Sequence, residues 1–404
     1  MGERGVPPPV PPAVRASVTW LLADSELMSG RRVGFCLSDK KRRRMNLDAF
    51  CNILCFFMRQ IDLSQPLGAQ GPFDVIIHKL SDVIVEAEHN SQSQQLLANF
   101  QSYVSAHPST ILLDPLPAMT QLLDRFASYR IMNWRICSPP YLEIHSATEL
   151  PSIQQGVTAQ NLSFPLICKT RVAHGSLSHE MSLIFSADSL ADIRPPCVLQ
   201  SFVNHGAVLH KVFVVGDRHY CVERPSLKNF PSGPCDRKTI FFNSHQVSKP
   251  ESSSDLTALD EEMPCLPPPS SEAVAALVRE LRAQLGMALF GVDVIINIHT
   301  HTLTVIDINI FPGYEGVPQF FSSLLSHIES VLDKHSSAGP QAAGSASSAP
   351  SPAAASRDLD GLKDAPCDAK PESCNSKVEI VARWPSSEHE RKQRRHHACE
   401  GAGR

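Results

Sequence analysis

The 404-residue sequence lacks three features that would place it in familiar protein classes. Its formal net charge is −4, whereas nucleic-acid binding depends on broad positive surface. Its 12 cysteines include no Cys-x-x-Cys pair or metal-finger spacing, which indicates free thiols in a reducing compartment. No apolar run approaches the length of a membrane span. We therefore expect a cytoplasmic protein, with access to the nucleus, that binds neither nucleic acid nor membrane.

Both ends of the chain are poor in residues that could form a core. Residues 1–29 are rich in proline, and prolines occupy the place where a secretory signal would have its apolar stretch. Residues 333–404 are rich in Ala, Ser, Pro and Gly and then become polar. Because neither segment can bury enough apolar surface to offset its ordering entropy, we predict disordered tails at 1–29 and 333–404.

The middle of the chain has a mixed α/β pattern. Apolar runs at Arg32–Leu37, Phe73–Lys79 and Thr110–Leu113 alternate with helical periodicity, including Ser91–Ala106. This alternation predicts an N-terminal α/β domain over residues 30–124. No Gly-x-Gly-x-x-Gly follows the first strand, so dinucleotide binding is not predicted. A more strand-rich part begins near Phe164.

Two apolar runs near the end of this region carry oxygen-bearing side chains. Asp293 interrupts Phe290–Ile296, and a second run follows in which Asp307 and Asn309 alternate with isoleucines and therefore share one face of a strand. The two runs are spaced as a hairpin. Buried carboxylates need a positive partner, and two Asp with one Asn suit a hard cation such as Mg²⁺. The alternative is a hairpin whose polar residues cap its end or face solvent.

Cationic residues recur beside these strands. Lys169 ends one apolar run and Lys211 opens another, where each could clamp phosphate or could simply protect a sheet edge. The run Lys40–Arg44 follows the first strand, where a βα loop commonly meets a ligand, although a charge run is most often solvated. His179 follows Gly175 in a loop that could approach phosphate.

Several long blocks together resemble the inositol-tetrakisphosphate 1-kinase family, also called the inositol 1,3,4-trisphosphate 5/6-kinases. The blocks occur in the family's order and extend the likeness from about residue 30 to 332: they are Phe73–Lys79, Leu113–Pro117, Lys169–Gly175, Arg224–Asn229, Phe241–His245, Ser248–Ser253 and Asp307–Val317. The resemblance implies an α/β (α+β) ATP-grasp fold with a central subdomain at 125–199 and a C-terminal subdomain at 200–332. It also implies ATP, two Mg²⁺ ions and inositol phosphates as ligands, and a monomer is expected.

The resemblance assigns roles residue by residue. The residues expected to bind metal are Asp293, Asp307 and Asn309. The residues expected to bind the substrate are Lys41, His179, Lys211, Asn309 and Gly313. The residues expected to act in catalysis are Lys211, His179 and Asp307. The residues expected to contact ATP are Arg125, Lys169, Gln200, Lys211, Ser226, Ser244 and Ser248.

The implied reaction is phosphorylation of inositol 3,4,5,6-tetrakisphosphate at position 1 and of inositol 1,3,4-trisphosphate at positions 5 and 6, with phosphate exchange between inositol phosphates as a further expectation. The segment Ser128–Pro140 is shorter than the family pattern, as is Phe56–Leu63. Two alternatives stay open: an inactive inositol-phosphate binder, and an ATP-grasp carboxylate–amine ligase.

Overall fold

The structure is a computed structural model that describes residues 30–47, 50, 58–147, 149–258 and 266–337. The predicted tail at 1–29, most of the one at 333–404, and Phe56 and Phe57 of the shortened segment lie outside these residues. The last described helix runs through Ser337, so residues 333–337 are helical, contrary to the prediction. Within the described ranges, no helix is long and apolar enough to cross a membrane.

The N-terminal part is a parallel four-stranded sheet in the order β2-β1-β3-β4. Its strands are β1 Val33–Cys36, β2 Met58–Gln60, β3 Val75–His78 and β4 Ile111–Leu113. Its helices are α1 Asp39–Met45, α2 Leu67–Gln70, α3 Ser81–Glu86, α4 Ser91–Ala106 and α5 Leu116–Leu123. The predicted alternation of strands with helices is confirmed, since parallel neighbours need such crossovers.

The central part is an antiparallel five-stranded sheet in the order β11-β7-β6-β8-β5. The strands are β5 Tyr141–Ile144, β6 Leu166–Thr170, β7 Glu180–Ile184, β8 Cys197–Ser201 and β11 Ile240–Asn243. Helix α6, Arg125–Arg135, leads into β5, and α7 is Leu150–Ala159. Strand β11 comes from the range predicted for the C-terminal subdomain, so the chain returns once to the central sheet.

The C-terminal part is a second four-stranded sheet in the order β10-β9-β12-β13, again antiparallel. Its strands are β9 Val208–Val215, β10 Arg218–Pro225, β12 Leu289–Ile296 and β13 Leu303–Ile310. The helices of this half of the chain are α8 Ser244–Val247, α9 Ser271–Leu285 and α10 Phe320–Ser337. The predicted hairpin of the two acidic runs is confirmed as β12 and β13.

Helix α9 shows why this sheet is stable. Its buried apolar residues recur at helical spacing and share one apolar cluster with the strands, and each fully buried leucine contributes roughly 1.5–3 kcal/mol. The Ser270 side chain accepts a hydrogen bond from the Ala273 amide at the helix start, and Gly286 ends the helix in the left-handed conformation.

The N-terminal part is fixed to the C-terminal sheet by one shared apolar cluster and one buried carboxylate. Asp114, just after β4, accepts hydrogen bonds from the amides of Ala288 (2.7 Å) and Leu289 (2.8 Å) at the start of β12. Burial raises the pKa of Asp114 to about 6, and the two amides oppose that rise. The first sheet is therefore held at a set position beside the acidic hairpin.

The β9–β10 turn provides a test of this packing. Gly216 has a φ of +60°, and a Cβ there would overlap the His327 ring of α10. We expect Gly216→Ala to lower the free energy of unfolding by about 2 kcal/mol or more, from the positive φ and the overlap together. Urea denaturation measures this change. The matched control is Gly68→Ala in α2, where a Cβ meets nothing within 4 Å, and a loss of stability there as large as at Gly216 would contradict the argument.

Candidate active site

Three charged residues lie side by side across the C-terminal sheet. Lys211 of β9 is the register partner of Asp293 of β12, which is in turn the partner of Asp307 of β13. The Lys211 Nζ lies 3.0 Å from both carboxylate oxygens of Asp293. Asn309 follows two residues after Asp307 on the same strand, so it shares that face. The structure thus brings the predicted metal residues and one predicted phosphate clamp together.

A β-bulge connects this row to the central sheet. The register shifts between Asp293 and Val294, which leaves Ile306 of β13 without a partner on β12. The Ile306 carbonyl instead accepts a hydrogen bond from the Lys169 Nζ of β6 at 2.8 Å. Lys169 is therefore held between the two sheets. Burial lowers its pKa to about 8, and Asp307 and Asp293 oppose that shift.

Arg125, at the start of α6, binds the loop that joins β6 to β7. Its guanidinium donates to the Thr170 carbonyl (2.7 Å) and to the Ser178 carbonyl (3.0 Å), and one nitrogen lies 3.8 Å from Asp307 Oδ2. The side chain is buried. The residue predicted to contact ATP is thus placed beside the metal residues and fixes the loop that carries His179.

The oxygen ligands fit a hard divalent cation. Asp293 and Asp307 face each other across the hairpin with partly exposed side chains, and Asn309 adds an amide oxygen. No group of three His, Cys, Asp or Glu within metal-binding reach occurs among the described residues, so two carboxylates and one amide are what this site offers. Mg²⁺ commonly takes one or two carboxylates and completes its shell with water and phosphate oxygens.

Two lysines of the N-terminal part, buried Lys41 and partly exposed Lys79, point at the segment that follows β13. The Lys41 Nζ donates to the carbonyls of Phe311 (2.7 Å) and Pro312, and the Lys79 Nζ donates to those of Ile310 (3.0 Å) and Phe311 (3.2 Å). Burial lowers the pKa of both, that of Lys79 to about 8. In the part of the chain that the structure describes, neither lysine has a carboxylate at hydrogen-bond distance, so an anion would be favourable beside them.

These contacts correct and extend the sequence prediction. Lys41 lies in helix α1, capped by Ser38, and not in a βα loop. Lys79 directly follows β3, Val75–His78, and was not predicted as a site residue, because a lysine at the end of an apolar strand gives no local sign of what it faces. A cavity of about 570 Å³ opens beside Lys79 and Asp82.

Two charged side chains lie close to Gly313 in the segment after β13. A Cβ at Gly313 would lie 2.7 Å from Glu315 Oε1 and 3.3 Å from Arg44 Nε, both ends of flexible side chains. Arg44 and Glu315 form a salt bridge, and Arg224 donates to the Glu315 carbonyl at 2.8 Å. The predicted substrate residue Gly313 thus lies beside Arg44 of α1, and Arg224 of β10 binds the same segment two residues later.

His179 faces a second histidine. Its ring centroid lies 5.4 Å from that of His245 in α8. Burial and the charge of His245 lower the pKa of His179, with Arg125 and Lys211 acting in the same direction and Asp307 opposing them. His245 was missed as a site residue, although it ends the block Phe241–His245. Its neighbours Ser244 and Ser248 are joined by a hydrogen bond from the Ser248 hydroxyl to the Ser244 carbonyl at 3.0 Å.

The remaining residues predicted to bind ATP lie around the connection between the two antiparallel sheets. Gln200 of β8 accepts a hydrogen bond from the Tyr129 hydroxyl of α6, and both are buried. Ser226, just beyond β10, has its hydroxyl oxygen 2.7 Å from His205 Nε2. The sequence-predicted residues therefore lie on the two antiparallel sheets, on the segments that join them and on the adjoining N-terminal part. Their individual roles stay predictions.

Comparison with known proteins agrees with this arrangement. The family model described as "Inositol 1,3,4-trisphosphate 5/6-kinase ATP-grasp domain" matches residues 131–330, and the corresponding pre-ATP-grasp model matches residues 32–119. Curated relatives named inositol-tetrakisphosphate 1-kinase are 52% identical over 317 residues in Danio rerio and 51% identical over 320 residues in Xenopus laevis. Each alignment covers 76% of this chain and 80% of the relative. The fold is the ATP-grasp fold with an N-terminal pre-ATP-grasp domain.

Among solved structures, a D-alanine–D-alanine ligase from Bacillus anthracis is 14% identical, with a TM-score of 0.49. That alignment covers 77% of this chain and 100% of the ligase chain.

The charge around Lys79 can be measured directly. We expect its ammonium group to titrate near pH 8 in lysine-labelled protein observed by NMR. Asp82→Asn lowers that pKa further, because the Asp82 carboxylate favours the charged amine. Since the folded-state pKa lies below the unfolded value of about 10.4, Lys79 makes the free energy of unfolding increase as pH rises from about 8 to about 10. Asp62→Asn is the control, and a Lys79 pKa above 10 would contradict the described burial.

Proposed function

The chain belongs to the inositol 1,3,4-trisphosphate 5/6-kinase family, and we propose that it transfers the γ-phosphoryl group of ATP to ring hydroxyls of inositol phosphates. The acceptors are inositol 3,4,5,6-tetrakisphosphate at position 1 and inositol 1,3,4-trisphosphate at positions 5 and 6. The observation that carries the proposal is the row of Lys211, Asp293 and Asp307 beside Lys169, with buried Lys41 and partly exposed Lys79 at the end of β13.

Nucleotide phosphates fit the space between the two antiparallel sheets. Lys169 is fixed there by the Ile306 carbonyl, where its ammonium group can bind the α- and β-phosphates. Asp293, Asp307 and Asn309 would hold Mg²⁺, and two such ions when bound neutralise charge on the β- and γ-oxygens. Because Lys211 contacts Asp293, its ammonium group would lie beside the Mg²⁺ site and could bind the transferring phosphoryl group.

The inositol phosphate fits the basic side of the cleft. Lys41, Lys79, Arg44 and Arg224 converge on the segment Ile310–Glu315, and His179 approaches from the loop that Arg125 fixes. Each can donate to phosphate oxygens, so a ring carrying several phosphates is bound at several points. Multipoint binding positions one hydroxyl for in-line attack, which supplies much of the rate acceleration in phosphoryl transfer.

No side chain has to act as a strong general base in this scheme, because the acceptor hydroxyl can lose its proton late in a loose transition state. His179 is available to donate to a substrate phosphate. A bound nucleotide that stays in the cleft could pass phosphate between inositol phosphates, and we include this exchange in the proposal. We further propose that the protein is a cytoplasmic monomer with access to the nucleus.

The proposal is tested with purified protein, ATP, Mg²⁺ and a panel of inositol phosphates, with the position of each new phosphate determined. Asp307→Asn should lower kcat at least about 100-fold, equivalent to about 2.7 kcal/mol of transition-state stabilisation, because it removes a negative metal ligand. The exposed Asp236→Asn is the matched control and should retain full activity.

The outcome separates the alternatives. Binding of inositol phosphate without isotope transfer from ATP would identify a non-catalytic binder. ATP consumption that depends on a carboxylate and an amine would identify a ligase. Full turnover by the Asp307→Asn variant would exclude the proposed site.

The substrate side is tested by a neighbouring pair of lysines. Lys41→Met should raise the KM for the inositol phosphate about 10-fold or more and leave the KM for ATP nearly unchanged, since a hydrogen bond to a charged group contributes about 1.5–3 kcal/mol. Lys40→Met, at the exposed adjacent position of α1, should change neither constant. Equal effects of the two substitutions on KM would show that general surface charge, and not Lys41, binds the substrate.

A further inference from the structure

The connection between the two antiparallel sheets is held by its own side chains. The Asn204 amide exchanges two hydrogen bonds with the backbone of Phe230, at 2.8 and 2.9 Å. The Asn229 side-chain oxygen accepts from the amides of His205 (3.1 Å) and Gly206 (3.0 Å). These polar groups therefore have hydrogen-bond partners within the protein, and few polar groups of this connection are left to bind a nucleotide.

His205 is buried in this connection and bonded at both ring nitrogens. Its Nδ1 lies 2.7 Å from the Val203 carbonyl oxygen, and its Nε2 lies 2.7 Å from the Ser226 hydroxyl. Burial lowers the pKa of His205 to about 4, with His210 acting in the same direction and the Val203 carbonyl opposing. The ring is thus neutral at physiological pH and carries one proton.

The chemistry of the two partners fixes where that proton is. A carbonyl oxygen can only accept, so Nδ1 carries the hydrogen and donates to Val203. Nε2 is then an acceptor, and the Ser226 hydroxyl must donate its single proton to it. The Ser226 oxygen retains lone pairs but has no hydrogen left for a ligand.

Ser226 lies at the end of the cleft away from the charged row. Val222, the register partner of Lys211, is four residues earlier, and the Ser226 amide continues the β9–β10 ladder by donating to Ala207 at 2.8 Å. Four strand residues span about 13 Å, close to the length of an extended nucleoside triphosphate. Alternation places Val222 and Ser226 on the same face of the strand.

We propose that His205 is a positioning residue that makes Ser226 an obligate hydrogen-bond acceptor for the sugar–base end of the nucleotide. The inference rests on the proposed use of ATP. Ionised phosphates have no hydrogen to donate, whereas the adenine amine and the ribose hydroxyls do. Ser226 therefore selects a donor on the base or the sugar and does not bind phosphate.

The proton position is measured first, by ¹⁵N NMR of histidine-labelled protein. The expected result is a neutral His205 ring with hydrogen on Nδ1 at pH 7, which is independent of any enzymatic activity. A ring with hydrogen on Nε2, or a doubly protonated ring at pH 7, would overturn the inference.

The ligand group is identified by calorimetric binding with Mg²⁺ and no inositol phosphate. The probes are ATP, 2′-deoxy-ATP, 3′-deoxy-ATP and purine riboside triphosphate, which lacks the amine. One analogue should bind the wild type about 10-fold more weakly than ATP, as expected for one lost hydrogen bond. Ser226→Ala should weaken ATP binding by a similar factor and make ATP and that analogue bind equally. Ser322→Ala, on α10, is the matched control and should retain the wild-type pattern.

A second variant keeps the test sensitive to His205 itself. His205→Phe should weaken ATP binding and reduce the discrimination between ATP and the same analogue, because the freed Ser226 hydroxyl can rotate and donate as well as accept. If Ser226→Ala instead weakens all four nucleotides by the same factor, Ser226 is structural or binds phosphate, and the inference fails. Nucleotide binding that shows the expected pattern without phosphoryl transfer would reject the proposed function alone.

Discussion

The main constraint on this structure is an excess of positive charge, buried or nearly buried, around one site. Four cationic side chains are buried or nearly so: those of Lys41, Lys79, Arg125 and Lys169. The carboxylates beside Lys169 and Arg125 belong to Asp293 and Asp307. Of these two, Asp293 already forms a salt bridge with Lys211. Burying an ion without a counter-ion is costly. Backbone carbonyls compensate the amines only partly, and burial depresses the pKa of all three buried lysines. Bound polyanions would offset this cost. The same positive charges that destabilise the fold without ligand therefore favour binding of a nucleotide and of an inositol phosphate.

Backbone features direct these charges at one place. The β-bulge at Asp293 frees the Ile306 carbonyl for Lys169, and the segment Ile310–Glu315 presents its carbonyls to Lys41 and Lys79. Three separate parts of the chain therefore meet at one hairpin. The hydrogen bonds from β12 to Asp114 hold the N-terminal sheet in a fixed position beside that hairpin. This position places Lys41 and Lys79 near the end of β13.

The sequence predicts the parts of this arrangement that are local. Alternation in Val305–Ile310 identifies the face shared by Asp307 and Asn309, and helical spacing identifies α4 at its observed limits, Ser91–Ala106. The rest depends on tertiary contacts. Nothing near Lys79 or His245 in sequence reveals that each faces the cleft, and the loop assigned to Lys41 is a helix because Ser38 caps it. Long matching blocks compensate for part of this gap, since they carry residues such as Ser226 and Gly313 that no periodicity would select.

The segment Ser128–Pro140, which we predicted to be shorter than the family pattern, includes most of α6, Arg125–Arg135, and the contacts of that helix with the site lie in its first two turns. Arg125 fixes the β6–β7 loop from the first turn of that helix, and Tyr129, one turn later, donates to Gln200 and lies under the Lys169 ammonium at 5.4 Å. Met132 completes the buried side of α6, and the chain reaches β5 at Tyr141. These contacts belong to the first two turns, so a helix cut short beyond them still supplies the side chains that bridge the central sheet to the acidic hairpin. Beyond Met132 the chain still binds the acidic hairpin, because the Val305 amide of β13 donates to the Cys137 carbonyl at 2.9 Å.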